Sequence, residues 1–90
     1  MAKHLTIRVE GGVQGVGFRW AARTQAALVR VTGFVRNEDD GSVTIEAEGA
    51  DDALEYFVAW CRRGPPSGWI DAIHIEPGPV KGFVEFEIRG

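Results

Sequence analysis

A change of hydrophobic period across one glycine-rich segment constrains the fold of this chain more than any other feature. Apolar and polar side chains alternate over residues 4–10, which is the pattern of a half-buried strand. Over residues 18–31 the apolar residues recur at helical spacing, and the stretch is rich in alanine, a strong helix former. Residues 11–17 hold four glycines in seven positions and are predicted to be a loop. The chain therefore starts as a strand, a glycine-rich loop and a helix.

Turn signals and hydrophobic periods divide the rest of the chain into four strands and one helix. The predicted elements are strands over 34–37, 43–48, 69–76 and 83–88, and a helix over 51–63. The order is then β-α-β-β-α-β plus a C-terminal strand, in one domain of residues 1–90. This order predicts an α+β, ferredoxin-like split β-α-β sandwich, with an antiparallel sheet and both helices on one face. The fold hosts many functions and does not by itself give one.

The same periods predict which side chains are buried. The first helix is expected to bury the residues at helical spacing, which are Trp20, Thr24, Ala27, Leu28 and Val31. The second helix is expected to bury Leu54, Phe57, Val58 and Cys61, and the last strand Val84, Phe86 and Ile88. His4, His74 and the many carboxylates are expected at the surface. Gly33 is expected to supply the left-handed residue after the first helix, and residues 77–79 to break the fourth strand.

Composition narrows the functions that are open to such a domain. Ten basic and thirteen acidic residues give a net charge of −3, which argues against a broad nucleic-acid-binding surface. Cys61 is the single cysteine, so neither an intrachain disulfide nor a multi-thiolate metal site is predicted. No apolar run is long enough to cross a membrane, and no signal peptide precedes the first strand, so a cytoplasmic location is expected. No metal or other cofactor is predicted.

The glycine-rich loop is a candidate anion site. The first N–H groups of a helix lack intrahelical acceptors and lie at the positive end of its dipole. The loop glycines would let further amides close around an oxyanion, and Arg19 could add two parallel hydrogen bonds. Together these groups suit a tetrahedral anion such as phosphate or sulfate. Loop composition leaves the alternative equally open, in which the glycines only make the turn and Arg19 is solvated.

Asn37 is a second candidate, because the strand that it ends lies near the first loop in a split β-α-β fold. Its carboxamide can both donate a hydrogen bond to a water molecule and accept one from it. Position alone favours a plainer interpretation, in which Asn37 simply begins the turn into the next strand. No serine, cysteine or histidine is placed as a nucleophile or base, and Cys61 is expected to be a core thiol.

Two segments resemble the signatures of the acylphosphatase family. Residues 9–19, which contain the highly specific run Val-Gln-Gly-Val-Gly-Phe-Arg, resemble the first, and residues 33–37 with Gly41, Val43 and Gly49 resemble the second. The resemblance covers essentially the whole chain and implies hydrolysis of acyl phosphates, which are small molecules, to a carboxylate and inorganic phosphate. It implies a phosphate cradle made of Gln14, Gly15, Val16, Gly17, Phe18 and Arg19. It also implies that Arg19 binds phosphate and that Asn37 orients the attacking water.

The chain departs from the family pattern at Gly12, where arginine is common, and at Ala21 and Ala22, where an aromatic and a hydroxyl residue are common. These departures bear on rate and affinity more than on the type of reaction.

The acyl pocket is not fixed by the sequence. Its candidates are Phe18, Trp20 and Trp69, each of which is also expected in the core. A metal-independent monomer without nucleic-acid or membrane partners is expected.

Two other classes of function share the fold. The first is a non-catalytic anion-binding or protein-interaction module, since similar domains occur at the N-terminus of larger carbamoyl-handling maturation factors. A chain of this length that keeps both Arg19 and Asn37 favours a free-standing enzyme. The second is an RNA-binding domain, which would need exposed aromatic residues on a basic sheet. The third predicted strand is instead acidic and has no aromatic residue.

Overall fold

The computed structural model describes residues 2–90 as two helices packed on a five-stranded sheet. In chain order the elements are β1 (Lys3–Gly12), α1 (Phe18–Val29), β2 (Thr32–Asn37), β3 (Val43–Gly49), α2 (Asp51–Arg63), β4 (Trp69–Gly78) and β5 (Phe86–Arg89). The strand order across the sheet is β4-β1-β3-β2-β5. The predicted α+β, ferredoxin-like arrangement is therefore confirmed. No helix within residues 2–90 is long and apolar enough to span a bilayer.

The sheet is mixed, and the prediction of a purely antiparallel sheet is wrong at one edge. The pairs β1–β3, β1–β4 and β2–β3 are antiparallel, whereas β5 pairs with β2 in parallel, from Gly33 opposite Phe86 to Arg36 opposite Arg89. The parallel pairing arises because a long connection joins β4, at one edge of the sheet, to β5, at the opposite edge. We call residues 79–85 the crossover. It brings the chain back to the end of the sheet where β2 starts, so β5 runs alongside β2.

One face of the sheet packs against both helices and forms the core. The buried strand residues alternate as predicted, with Ile7 and Val9 in β1 and Val43 and Ile45 in β3 completely inaccessible to solvent. From α2 the core receives Leu54, Phe57, Trp60 and Cys61. The predicted apolar stripe of α2 is confirmed, apart from Val58, which is only half-buried at the edge of the cluster.

The predicted buried face of α1 is wrong at four of its five residues, since Thr24 and Ala27 are also exposed, whereas Val31, just beyond the helix, is buried as predicted. The helix buries Phe18, Ala22 and Ala26, whereas Trp20 and Leu28 are 62% and 67% exposed. Two stripes on this helix have helical spacing, and the period alone cannot choose between them. Alanine at the contact lets the helix lie close to the sheet, so the small stripe faces inward and the large side chains face solvent.

The end of β1 and the end of α1 also differ from the prediction. Gly11 and Gly12 belong to β1 and pair with Ile70 and Trp69 across a bulge. Glycine is needed at residue 11 because a Cβ atom there would collide with the backbone of Trp69. At the other end α1 stops at Val29, and Arg30 itself adopts the left-handed conformation that was expected of Gly33 (φ 61°).

The predicted last strand begins three residues too early, at 83 instead of Phe86, and the break at 77–79 begins too early as well. β4 continues through Pro77 to Gly78, which an edge strand permits because its outer N–H groups need no partner. Val84 is 91% exposed rather than buried. The crossover is irregular here, and its apolar anchor is Phe83, whose ring packs edge-on against Phe34 at 5.9 Å.

The placement of His4 and of one carboxylate at the surface is wrong, although His74 is exposed as predicted. His4 and Glu48 are each only 3% exposed, and His4 Nδ1 lies 2.7 Å from Glu48 Oε2. Alternation places both residues on the sheet face that lacks helices, as expected. The crossover passes over this part of the face and buries them, a contact between segments 33 or more residues apart.

Candidate active site

The loop between β1 and α1, residues 13–17, presents backbone amides without competition from nearby side chains. Gly15 and Gly17 have φ angles of 75° and 78°, which side-chain-bearing residues rarely adopt, and open space surrounds both. Gly17 is the N-cap of α1, and the cap carries no side-chain hydrogen bond. The first turn also holds no acidic residue. The first N–H groups of α1 are therefore available to an anion, at the positive end of the helix dipole.

Gln14 does not direct its side chain into the loop. Its amide nitrogen Nε2 donates to the carbonyl oxygens of Glu38 (2.7 Å) and Ser42 (2.9 Å), in the turn between β2 and β3. Only the backbone of Gln14 can therefore contribute to the phosphate cradle that the sequence suggests. The side chain instead fastens the loop to the turn that follows Asn37.

The other side of the loop is held by the connection between α2 and β4. Ser67 Oγ donates to the carbonyl oxygen of Val16 at 3.0 Å. Gly68 approaches so closely that a Cβ atom there would lie 2.7 Å from the Gly12 carbonyl oxygen and 3.1 Å from Val16 Cγ2. A loop that is tied on both sides has lost conformational freedom before any ligand arrives, which lowers the cost of binding.

Arg19 lies at the start of α1 and is half-buried. Its only hydrogen bond within residues 2–90 is a long one, from Nη1 to the Gly90 carbonyl oxygen at 3.4 Å, and it forms no ion pair there with a carboxylate. A guanidinium carries five N–H donors, so most of its hydrogen-bonding capacity is unused. A planar donor of fixed positive charge in this state is suited to a phosphate or carboxylate.

Asn37, the last residue of β2, holds an unusual polar atom. Its side-chain oxygen Oδ1 is the one buried side-chain nitrogen or oxygen atom in residues 2–90 that has no hydrogen-bond partner. The turn that follows is closed by other groups, with Glu38 N–H donating to the Ser42 carbonyl oxygen at 2.8 Å. An unsatisfied buried acceptor costs about 1–3 kcal/mol, so such a group calls for an explanation. A donor such as a water molecule would satisfy it.

Gly90 brings the two candidates, Arg19 and Asn37, close to each other. It follows β5, which lies beside β2, so its backbone is next to that of Asn37. A Cβ atom at residue 90 would lie 3.8 Å from the Asn37 carbonyl oxygen, and the Gly90 carbonyl accepts the bond from Arg19. Sequence analysis missed this residue, because a glycine has no side chain whose chemistry would single it out.

The remaining reactive side chains are occupied or inaccessible. Burial raises the pKa of the Cys61 thiol to about 12, so it is protonated at neutral pH. The hydroxyl of Ser42 donates to Asp40. No group of three or more His, Cys, Asp or Glu residues in the described part of the chain is arranged to hold a metal ion. The chemistry available near the loop is therefore that of amides, a guanidinium and a carboxamide.

The three candidates for the acyl pocket lie in different environments. Phe18 is buried, as expected, and packs at 5.2 Å against the ring of Trp60. The prediction that Trp20 and Trp69 are core residues is wrong, since each is 62% exposed. Trp20 lies on the solvent side of α1, and Trp69 lies at the exposed start of an edge strand.

Fold and site together define a class: ferredoxin-like α+β domains with an uncapped, glycine-rich loop between the first strand and the first helix. Within that class the chain belongs to the acylphosphatase family, whose family profile matches residues 5–88. The acylphosphatase of Thermotoga maritima is 45% identical over 87 residues, which cover 97% of each protein.

Solved structures agree with this assignment. The crystal structure of acylphosphatase from Bacillus subtilis superposes with a TM-score of 0.95 at 36% identity and covers 100% of both chains. Full-length HypF, in a phosphate- and nucleotide-bound form, contains a segment with a TM-score of 0.90 and 31% identity. That match covers 100% of this chain and 12% of the HypF chain. The same domain therefore also occurs as a small part of a much longer protein.

Proposed function

We propose that this chain hydrolyses acyl phosphates, with the phosphoryl group held by the backbone of residues 14–18 and by Arg19, and with Asn37 orienting the attacking water. Family membership supports the reaction. One observation carries the assignment of residues: the buried, unpartnered Oδ1 of Asn37 lies at the same end of the sheet as an uncapped helix N-terminus and an uncommitted guanidinium. A water molecule that donates to Oδ1 would satisfy the buried acceptor and be positioned for attack.

The reaction breaks the bond between phosphorus and the oxygen shared with the acyl group. Water adds to phosphorus, the carboxylate leaves with the bonding electron pair, and a phosphoryl oxygen of the substrate accepts the water proton. A carboxylate is a stable leaving group, so no general acid is required. The protein has only to align the water and stabilise charge on the phosphoryl oxygens, and these two effects dominate the catalysis of phosphoryl transfer.

Arg19 and the loop amides supply the positive field in this proposal, and no resident metal ion takes part. The guanidinium offers two parallel hydrogen bonds to phosphoryl oxygens, and the long contact to Gly90 is weak enough to be exchanged for them. The loop is held by Gln14 on one side and Ser67 on the other, so its amides are arranged before the substrate binds. Inorganic phosphate or sulfate would bind at the same place.

We further propose that the chain acts as a single domain and a monomer in the cytoplasm. The apolar residues of both helices and of all five strands join one core cluster, which supports one independent folding unit. A free thiol such as Cys61 persists most readily in a reducing compartment.

The test is hydrolysis of acetyl phosphate by wild type, Arg19→Gln and Arg23→Gln, each with and without a chelator. Arg23 is the matched control: it lies one turn further along α1, over the ring of Trp20 at 4.8 Å. We expect chelator-resistant hydrolysis, a loss of about 10³-fold in kcat/KM for Arg19→Gln, and little change for Arg23→Gln. Competitive inhibition by inorganic phosphate should weaken in parallel.

Two outcomes would contradict the proposal. Unchanged phosphate affinity in Arg19→Gln would remove this residue from the binding site. A wild-type protein that binds phosphate but hydrolyses no acyl phosphate would favour the other function of this fold, a non-catalytic anion-binding or protein-interaction module.

A further inference from the structure

Trp69 is a large aromatic residue that is held in place without being buried. Its side chain leans over Gly12, its partner in the pairing of β1 with β4. A Cβ atom at residue 12 would lie 2.5 Å from each of three indole carbons, Cε3, Cζ3 and Cη2. Glycine at position 12 is therefore what allows the six-membered part of the indole to rest against the strand. The residue nevertheless remains 62% exposed.

The position of this indole is tied to the proposed phosphate cradle on two sides. Gly12, beneath the ring, is two residues before Gln14, a distance of at most about 7 Å along the chain. Gly68, directly before Trp69, packs against Val16, and Ser67 donates to the Val16 carbonyl oxygen. Trp69 is thus fixed relative to the loop by its neighbours in sequence and by the strand beneath it.

A comparison with Trp20 shows that the ring of Trp69 is unoccupied. Both residues are 62% exposed, but the guanidinium of Arg23 lies over the Trp20 ring, 4.8 Å from its centroid. Within residues 2–90, no aromatic or cationic side chain stacks on the ring of Trp69. A flat apolar surface next to a phosphate-binding loop is available to the group that the phosphate carries.

We propose that Trp69 determines acyl specificity, with its indole receiving a planar aromatic acyl group while the phosphate occupies the loop. This proposal rests on the phosphate site proposed above. Stacking of two aromatic rings contributes to binding only when the substrate carries a ring. The enzyme should therefore favour an aromatic acyl phosphate over a small aliphatic one, and Trp69 should carry the difference.

The experiment compares kcat/KM for benzoyl phosphate with kcat/KM for acetyl phosphate in wild type and three variants. In Trp69→Ala the benzoyl-to-acetyl ratio should fall about 5- to 10-fold, as expected for the loss of one aromatic contact. Trp69→Phe should retain most of the ratio, since it keeps a flat ring. Trp20→Ala is the matched control, an equally exposed tryptophan on the helix, and should leave the ratio unchanged.

The possible outcomes separate the two proposals. An unchanged ratio in Trp69→Ala, or an equal fall in Trp20→Ala, would overturn the role of Trp69 while leaving the phosphate site intact. A wild type that hydrolyses neither substrate would overturn both proposals. Inhibition by inorganic phosphate, measured in every variant, reports on the loop alone and should vary little with residue 69. If Trp69→Ala does not fold, Trp69→Leu carries the comparison, because it keeps apolar volume without a flat ring.

Discussion

Each end of the sheet holds a buried polar side chain, and the two side chains differ in how many hydrogen bonds they accept from the protein. At one end Asn37 Oδ1 is buried and accepts no hydrogen bond from a protein group of residues 2–90. At the other end Glu48 is buried and accepts hydrogen bonds from four donors: His4 Nδ1 and the backbone N–H groups of Lys81, Gly82 and Phe83, at 2.5–3.2 Å. The distance along β1 between these ends, from His4 to Gly12, is about 26 Å at ~3.3 Å per residue.

The electrostatics of the Glu48 end is that of a structural site. Burial alone raises the pKa of Glu48, but the hydrogen bonds from the crossover amides and from His4 outweigh it and hold the pKa below its usual value. Glu46 extends the cluster by accepting from Lys81 Nζ at 2.7 Å. The carboxylate therefore fastens the crossover to β3, and every strong donor near it is used.

In the proposed mechanism this difference distinguishes a structural residue, Glu48, from a functional one, Asn37. A fully satisfied buried network stabilises one arrangement of the chain and has no capacity left for a ligand. A buried acceptor that no protein group satisfies keeps its hydrogen-bonding capacity for a water molecule or a ligand. We therefore expect changes at the Asn37 end to alter activity more than stability, and changes at the Glu48 end to alter stability more than activity.

Among the changes that test this comparison, Asn37→Ala is expected to have the largest effect. Loss of the group that positions water should lower kcat about 10²- to 10³-fold, as for other single polar groups that act in a transition state. The free energy of unfolding should change little, because no other protein group within residues 2–90 loses a hydrogen bond to Oδ1. Steady-state kinetics and urea unfolding measure the two quantities. Full activity in this variant would mean that Asn37 is only the residue that precedes a turn.

Glu48→Gln should have the next largest effect, and on stability. A neutral amide brings its own N–H groups towards the backbone donors of the crossover, so we expect a loss of about 2–3 kcal/mol in the free energy of unfolding. The folded variant should keep kcat within a few-fold. Glu87→Gln is the matched control, a carboxylate of β5 that is 46% exposed and paired with Arg89, and should change stability little. A kcat loss comparable to that of Asn37→Ala would contradict the division between the two ends.

The lowered pKa of Glu48 also predicts the direction of a pH effect. A carboxyl group whose pKa is lower in the folded state contributes stability above its unfolded pKa, near 4.5. That contribution is lost as the pH falls from this value through the folded pKa. Unfolding free energies measured from pH 7 down to pH 3 should therefore fall more steeply for wild type than for Glu48→Gln. Parallel curves would show that Glu48 does not act through its charge.

The smallest effect is expected for Gly15→Ala. The φ angle of 75° costs an alanine about 1 kcal/mol, but no atom lies close enough to clash with the new methyl group. Because the proposed binding groups are backbone amides, phosphate affinity should change by only a few-fold. Gly41→Ala, in the turn between β2 and β3 and also at positive φ in open space, is the control for stability alone. A complete loss of phosphate binding would show that the loop needs glycine for more than its backbone.

The fold was predictable from local pattern where one pattern was present. The alternation in β1 and the single apolar stripe of α2 gave the correct buried faces. Prediction failed in α1, where alanine and large apolar residues form two stripes and only packing against the sheet selects one. It failed again at His4 and Glu48, because a two-residue period cannot show that a distant segment covers the open face.

The candidate site was predictable as a set of residues and not as an arrangement. The glycines and Arg19 adjoin one another in sequence, so their grouping follows from the strand–loop–helix order. The hydrogen bond of the Gln14 side chain to a turn more than twenty residues away does not follow from that order. The lack of a protein donor for Asn37 Oδ1 does not follow from it either, because that depends on every group that folding brings near the atom.

The sequence by itself determined the order of the elements, the backbone freedom of the loop and the presence of an arginine at the start of α1. These properties depend on residues within a few positions of one another. Only the tertiary structure decided that Gly90 lies beside both Arg19 and Asn37, that the crossover buries Glu48, and that Trp69 rests on Gly12. Those contacts join segments that are far apart in the chain. They form because the sheet brings its strands together in an order different from the order of the sequence.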